Sequence, residues 1–290
     1  VMKTSTNEQT ATNAYLNSPV IPNLAGIKAK QKATWESGDF GQIARVIENV
    51  AEEFMGRLPL QRGMKVLDVA CGTGNLAIIA AKHGCITSGI DIAANLLEQA
   101  RARAVKAGLG IEFTEADAER LPFADNTFDL AVSMFGVMFA PQPEMATAEL
   151  RRVTKPGGRI AMANWTLEGF IGKMFRIFKA HLPPAPAGLA SPMEWGNEAT
   201  VQKRLEPGFT DVHLTRRIAW MRYPFPPAET VEFFRKYYGP TNRAFESLPA
   251  TAQEAFRREL VELQTSHNTA KVPGTTEVAA EYLEVIATKT

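Results

Sequence analysis

Hydrophobic residues fall along this chain in two rhythms that alternate between about residues 64 and 165. Short runs rich in Val, Ile and Leu give way to stretches with apolar positions three and four apart, the periods of buried strands and amphipathic helices. Val66, Leu67 and Val69 predict a strand, Leu76 to Lys82 a helix stopping at Gly84, and residues 85–90 a second strand. A helix over about 93–107 turns Leu96, Leu97, Ala100 and Ala104 inward and stops at Gly108, a residue suited to the left-handed turn. Strands at 111–114 and 129–133 follow. Pro143 then opens a helix with Ala146, Leu150 and Val153 inward, and Pro156-Gly-Gly closes it before a strand at 159–164. Such alternation is the signature of a parallel sheet with helical crossovers, an α/β doubly wound architecture.

On either side of this segment the rhythm changes. Residues 1 to about 30 are polar, contain Pro19 and Pro22 and show no periodicity, so they read as an arm. Ile43, Val46, Ile47, Val50 and Phe54 have the spacing of one helix, with Asp39 and Gln42 as a capping-box variant. Beyond Trp165, helix-like stretches at 169–181 and 199–205 enclose a Pro- and Gly-rich insertion, and long insertions near a site are often lids. Residues 209–223 read as a strand. Helices follow at 229–238 and 251–264, the second with a capping box at Thr251 and Glu254, and Glu281 to Thr288 alternates like a last strand. The expected organisation is an arm and helical cap over residues 1–60 and an α/β domain over 61–290. Insertions at about 166–205 and 226–275 would form one side of its crevice.

The chemistry concentrates where the first strand turns into its helix, Val66-Leu-Asp-Val-Ala-Cys-Gly-Thr-Gly-Asn-Leu76. Gly72 and Gly74 allow a tight turn and a close ligand approach, and a helix N-terminus faces the loop. Gly72, Gly74 and Ala77 also satisfy the loose dinucleotide pattern, so the glycines alone leave several nucleotide ligands open. Asp68 narrows them: a carboxylate there repels a pyrophosphate and suits a ligand bearing an ammonium or sulfonium group. The later strands deliver Asp91, Asp117 and Ser133 to the same sheet edge, where open α/β sheets bind their ligands.

Charge and composition exclude other roles. Thirty-two basic and thirty-one acidic residues give a formal charge of +1, without the basic block that nucleic acid or an anionic membrane requires. No apolar run is long enough to span a bilayer and no leader pattern opens the sequence, so the expectation is a soluble, cytoplasmic protein without integral membrane association. Cys71 and Cys85 are too few for a disulfide framework, and no Cys/His cluster has metal spacing, so no metal is expected. Oligomeric state is not legible in the residues.

From about Met64 to Trp165 the chain resembles the class I S-adenosylmethionine-dependent methyltransferases. Four blocks follow the glycine loop in the family's order: Ile86-Thr-Ser-Gly-Ile-Asp91, the segment Glu115 to Phe123 containing Asp117 and Ala118, Phe128-Asp-Leu-Ala-Val-Ser133, and Leu150 to Gly158. The nearest likeness is to bacterial small-molecule enzymes such as those of ubiquinone and menaquinone biosynthesis. The resemblance implies a Rossmann-like sheet of seven strands with the last antiparallel, an N-terminal helical cap, and helical insertions after strands 5 and 6. It implies S-adenosylmethionine as methyl donor, S-adenosylhomocysteine as product and a small-molecule acceptor. Asp91 would then take the ribose hydroxyls, with Ile92 beside it. Asp117 would take the adenine amino group, with the Ala118 N–H on the ring. Asp68, Ala70, Gly72 and Gly74 would hold the methionyl end. Ser133 and Met134 would touch the cofactor through backbone, and Trp35 and Phe40 would line the edge that the cap closes.

Other residues keep two readings. Phe135 either stacks near the adenine or roofs the transfer site, or it packs in the core. His181 and Glu194, in the first insertion, are candidates for a base that deprotonates the acceptor. Phe170, Met174, Phe178, Met193 and Trp195, with Phe233, Phe234, Tyr237 and Tyr238, compose an apolar acceptor wall, or they glue the insertions to the sheet. Trp195, Phe234 and Tyr238 are the named substrate contacts. Cys71 is either a thiol activated by the helix N-terminus or a small packing residue. Two rival functions remain at this stage, a catalytically silent S-adenosylmethionine binder and a nicotinamide-dependent dehydrogenase.

Overall fold

A parallel strand buried on both faces needs apolar side chains on both, and Val66, Leu67 and Val69 supply them at the centre of the sheet. The computed structural model describes residues 23–290, so the expected arm up to residue 22 lies outside the described residues. Among these residues the strands form one seven-stranded sheet in the order β3-β2-β1-β4-β5-β7-β6. They are β1 (Lys65–Val69), β2 (Ile86–Asp91), β3 (Glu112–Glu115), β4 (Phe128–Met134), β5 (Thr154–Trp165), β6 (Phe209–Tyr223) and β7 (Thr276–Lys289). The first five pair in parallel; β7 runs antiparallel to both β5 and β6. The register Val66↔Leu130 and Asp68↔Gly89 aligns the strand ends, so the turns after β1, β2 and β4 open on one edge.

The helices are α1 (Leu24–Trp35), α2 (Phe40–Val46), α3 (Glu48–Gly56), α4 (Asn75–Lys82), α5 (Ala94–Lys106) and α6 (Pro143–Val153). The two insertions carry α7 (Phe170–His181) and α8 (Glu198–Leu205), then α9 (Pro227–Tyr237), α10 (Gly239–Ser247) and α11 (Ala250–His267). They lie between β5 and β6 and between β6 and β7.

Local expectations need five corrections. Residues 24–30 are not arm but the start of α1, which buries no residue fully and therefore carries no apolar stripe to read. The single helix expected from Ile43 to Phe54 breaks at Ile47, whose φ of −115° and ψ of 16° end α2 and start α3. Asp39 does cap α2 by accepting from the Gly41 N–H at 3.1 Å, while the Gln42 amide donates to the Asp39 carboxylate rather than returning to the backbone. The Thr251 and Glu254 box does not form, because α11 starts earlier, after Pro249, without a side-chain cap. Strand β5 also begins at Thr154, before the Pro-Gly-Gly segment, and absorbs it with an irregularity opposite β4.

Candidate functional site

Asp68 lies one residue before the end of β1 and is 1% exposed. Its carboxylate accepts the Ala77 N–H at 2.9 Å in the first turn of α4. The N-cap of that helix is Gly74, which has no side chain to offer, so a strand residue satisfies the helix terminus from outside. Gly74 has φ 79°, and a Cβ there would stand 3.0 Å from the Phe113 ring. It is a packing glycine and does not line the crevice.

Asp91 ends β2. One carboxylate oxygen accepts the Gly72 N–H at 2.8 Å and the other the Ala93 N–H at 2.9 Å, which ties the glycine loop to the second strand. Burial pushes Asp68 up to about 8, with the Ala77 N–H pulling the other way and the Asp91 charge adding to the rise. Burial raises Asp91 too, against the backbone N–H groups of Ala93, Gly72 and Ile92. Among the described residues both acids are held by backbone N–H groups and lack a cationic partner. Buried carboxylates of this kind suit a ligand that brings a positive charge and hydroxyl donors.

Two left-handed turns shape the floor between them. Ala70 and Phe135 both have φ 56°, a conformation uncommon for residues with a side chain. A Cβ on Gly136 would fall 2.6 Å from both the Cβ and the carbonyl oxygen of Ala70, so only glycine lets the turns after β1 and β4 meet.

These elements border a crevice, open to solvent, at the sheet edge. Of the residues singled out in the sequence, Trp35, Phe40, Asp68, Ala70, Cys71, Gly72, Asp91, Ile92, Asp117, Ala118, Met134 and Phe135 line it. Ser133 does not. It is fully buried, its hydroxyl donates to the Val69 carbonyl at 2.7 Å and accepts the Val137 N–H at 3.0 Å, and it thereby braces the two turns from behind. Asp117 accepts the Glu119 N–H at 2.9 Å and so caps its own turn, and its other oxygen takes Lys28 of α1 at 2.5 Å. Lys28 also pairs with Glu119. Lys28, Gln31 and Phe139 line the crevice without having been singled out. The first two sit on a helix with no periodic signal.

Cys71 is buried, and burial together with the Asp68 and Asp91 charges holds its thiol well above the usual range. It packs in a small cluster with Ala77, Leu97, Ala100 and Phe113.

Beyond the crevice, a second and narrower space shares Trp35, Phe40, Ile47, Phe135 and Phe139 with it. Phe135 stands at the junction, stacked on Trp165 with ring centroids 3.6 Å apart and planes within 5°. Phe234 and Tyr238 line this space, as do Met174 and Ile171 of α7. Tyr238 has its phenol raised by burial and remains neutral.

Three candidates fall elsewhere. Trp195 is 1% exposed, packs under the Arg204 guanidinium at 4.5 Å, and lines neither space. Glu194 faces Arg204 at 3.7 Å near the surface. His181 pairs with Glu259 of α11 at 3.0 Å and stacks beside Phe256, so it joins two helices instead of facing the crevice. Neither His181 nor Glu194 is positioned as a base. Among the described residues, no group of three His, Cys, Asp or Glu could hold a metal ion, and no helix is long and apolar enough to cross a membrane.

Known proteins place this geometry. A family model described as a methyltransferase domain matches residues 67–162, the stretch from β1 into β5. An uncharacterized protein of Mycobacterium tuberculosis is 36% identical over 245 residues, covering 83% of this chain and 89% of its own length. The chain belongs to the class I S-adenosylmethionine-dependent methyltransferases. A demethylmenaquinone methyltransferase of Thermus thermophilus is 37% identical over 139 residues, 46% of this chain and 63% of that one. In fold the methyltransferase sheet is shared with the YcgJ protein of Bacillus subtilis at a TM-score of 0.55 and 17% identity, covering 83% of this chain and 98% of that one. The dehydrogenase reading falls with this membership.

Proposed function

We propose that this methyltransferase transfers the methyl group to a small, largely apolar acceptor held in the aromatic space, by in-line displacement and without a general base from His181 or Glu194. The observation that carries the proposal is the aromatic wall shared by the two spaces, with Phe135 and Trp35 at the junction. S-adenosylmethionine, when bound, supplies a methyl group already activated by the positive sulfur. The chain's own work is then to hold both partners and to keep water out.

In this reading Asp68 receives the ammonium of the methionyl end, while Ala70 and Gly72 let the backbone approach it closely. Asp91 turns its free lone pairs to the ribose hydroxyls while keeping the Gly72 and Ala93 N–H bonds. Asp117 shares its carboxylate between Lys28 and the adenine amino group, with the Ala118 N–H on the ring. Ile92 and Met134 pack against the cofactor. Cap residues Trp35 and Phe40, with Phe139, close the junction and dry it. Ser133 and Gly74 support these groups from behind.

The test is direct. The protein, with a chelator present, is titrated with S-adenosylhomocysteine by calorimetry and then incubated with S-adenosylmethionine and a panel of aromatic hydroxyl and amine acceptors. Product is read as S-adenosylhomocysteine together with a mass gain of one methylene on the acceptor. A folded protein giving no heat with either nucleoside would end this reading, and binding without any turnover would favour a silent binder.

A further inference from the structure

Past the aromatic space lies a third and smaller void, with room for about one water-sized group, lined by α7, α9, α10 and α11. Met174 and Phe234 line both, so the crevice, the aromatic space and this chamber stand in series. Its walls are apolar apart from two residues, Thr241 and Gln264, which are 1% and 4% exposed. The Thr241 hydroxyl and the Gln264 carbonyl oxygen have no hydrogen-bond partner among the described residues.

Their positions make this pairing notable. Phe256, Leu260 and Gln264 are spaced four apart on the buried face of α11, so the amide occupies a place on that stripe suited to a leucine. Burying an unbonded amide and an unbonded hydroxyl costs stability, and native interiors rarely leave such groups without a use. The amide oxygen only accepts, whereas the threonine hydroxyl either donates or accepts. A hydroxyl on a ligand satisfies both at once, donating to one and accepting from the other. It serves equally if the amide is turned over, since it then accepts from the amide nitrogen.

We infer that the chamber is the far end of the acceptor site, where Thr241 and Gln264 bind a hydroxyl at the terminus of an elongated apolar acceptor. The inference rests on the acceptor reading of the adjoining aromatic space. The reacting atom lies near Phe135, the apolar body passes Tyr238 and Phe234, and the flexible thioether of Met174 yields to admit the tail. Selectivity for length and for the distal hydroxyl follows from this arrangement: a shorter or fully hydrocarbon molecule leaves both groups unbonded.

The probes are a ladder of ω-phenylalkanols and the matching alkylbenzenes, titrated into protein saturated with S-adenosylhomocysteine. Tryptophan emission reports binding because Trp35 and Trp165 line the adjoining space. One chain length should bind at least about tenfold more tightly as the alcohol than as the hydrocarbon. In Thr241→Val and Gln264→Leu that preference should disappear, with the hydrocarbon bound as well as before. Neither variant should melt lower, because each replaces an unbonded buried polar group with an apolar one of similar size. Equal binding of alcohol and hydrocarbon, no binding of either, or a preference that survives both substitutions overturns the inference. So do variants that melt lower with unchanged probe selectivity, the behaviour of a pair that only holds a water. Calorimetry with S-adenosylhomocysteine is run alongside. Protein that binds it and does not discriminate the probes loses only the chamber, whereas protein that does not bind it loses the methyl-transfer reading.

Discussion

The two halves of the cleft are built differently. On the half we assign to the cofactor, β1, β2 and β4 bring acids and backbone N–H groups to one edge from residues 68–136, and each polar group is fixed by a neighbouring turn. On the other half, aromatic and aliphatic side chains come from the helical cap, from Phe135, Phe139 and Trp165 beyond β4 and at the end of β5, and from helices between residues 170 and 264, with few polar groups among them. The first half recognises charge and hydrogen bonds through strand geometry, which leaves little freedom to vary. The second encloses shape through helix packing, which can be resized one side chain at a time. One scaffold can therefore keep its donor and change its acceptor.

The largest expected effect lies outside both halves. Trp195→Ala removes a fully buried ring and should cost about 3 to 5 kcal/mol of stability, read by denaturant unfolding, with probe selectivity unchanged in the folded fraction. Loss of acceptor selectivity without loss of stability would return Trp195 to the acceptor wall. Next, Asp91→Ala should weaken S-adenosylhomocysteine binding by about 1.5 to 3 kcal/mol by calorimetry, with Asp91→Asn retaining part of it. Parent-like affinity in the alanine variant would remove the ribose role and blur the division between the halves.

The pH response is smaller. With Asp68 pushed up to about 8 by burial, the folded protein keeps a proton that the unfolded chain has already lost above the ordinary carboxylate range. This group's contribution to stability is therefore greatest in acid and falls as pH rises toward about 8. A cationic methionyl end binds the ionised form, so cofactor binding should release a proton below about pH 8. Affinity should rise with pH by at most about tenfold per unit. Calorimetry in buffers of different ionisation enthalpy measures the proton, and Asp68→Asn should abolish its release; proton uptake would contradict the assignment. The smallest effect is that of Phe234→Leu, which should weaken binding of an aromatic probe by about 0.5 to 1.5 kcal/mol and leave S-adenosylhomocysteine affinity unchanged. A matching loss of cofactor affinity would mean that the halves are not separable.

How much of this was legible follows the same division. Asp68 and Asp91 were readable because each closes a short apolar run, and a strand's end is a local feature. Ser133 was placed at the right edge, but its side chain carried no sign of its bracing role: a strand end turns alternate side chains to opposite sides, and its hydroxyl turns back to Val69 and Val137. Gly136 left no signal, because the need for glycine there comes from Ala70, far away in sequence. Trp195 and His181 were misplaced for a related reason. An aromatic or titratable residue in an insertion carries no mark of which surface its segment packs against.

The sequence by itself determined the alternation of strand and helix, the glycine loop with its preceding acid, and the sheet edge on which the crevice opens. Those depend on side-chain period and backbone freedom over a few residues. Only the tertiary structure decided that α1 lays Lys28 and Trp35 over the crevice, that Phe135 stacks on Trp165, and that Thr241 and Gln264 face one chamber. Those depend on how helices and turns distant in sequence cross and pack, and local periodicity carries no record of that.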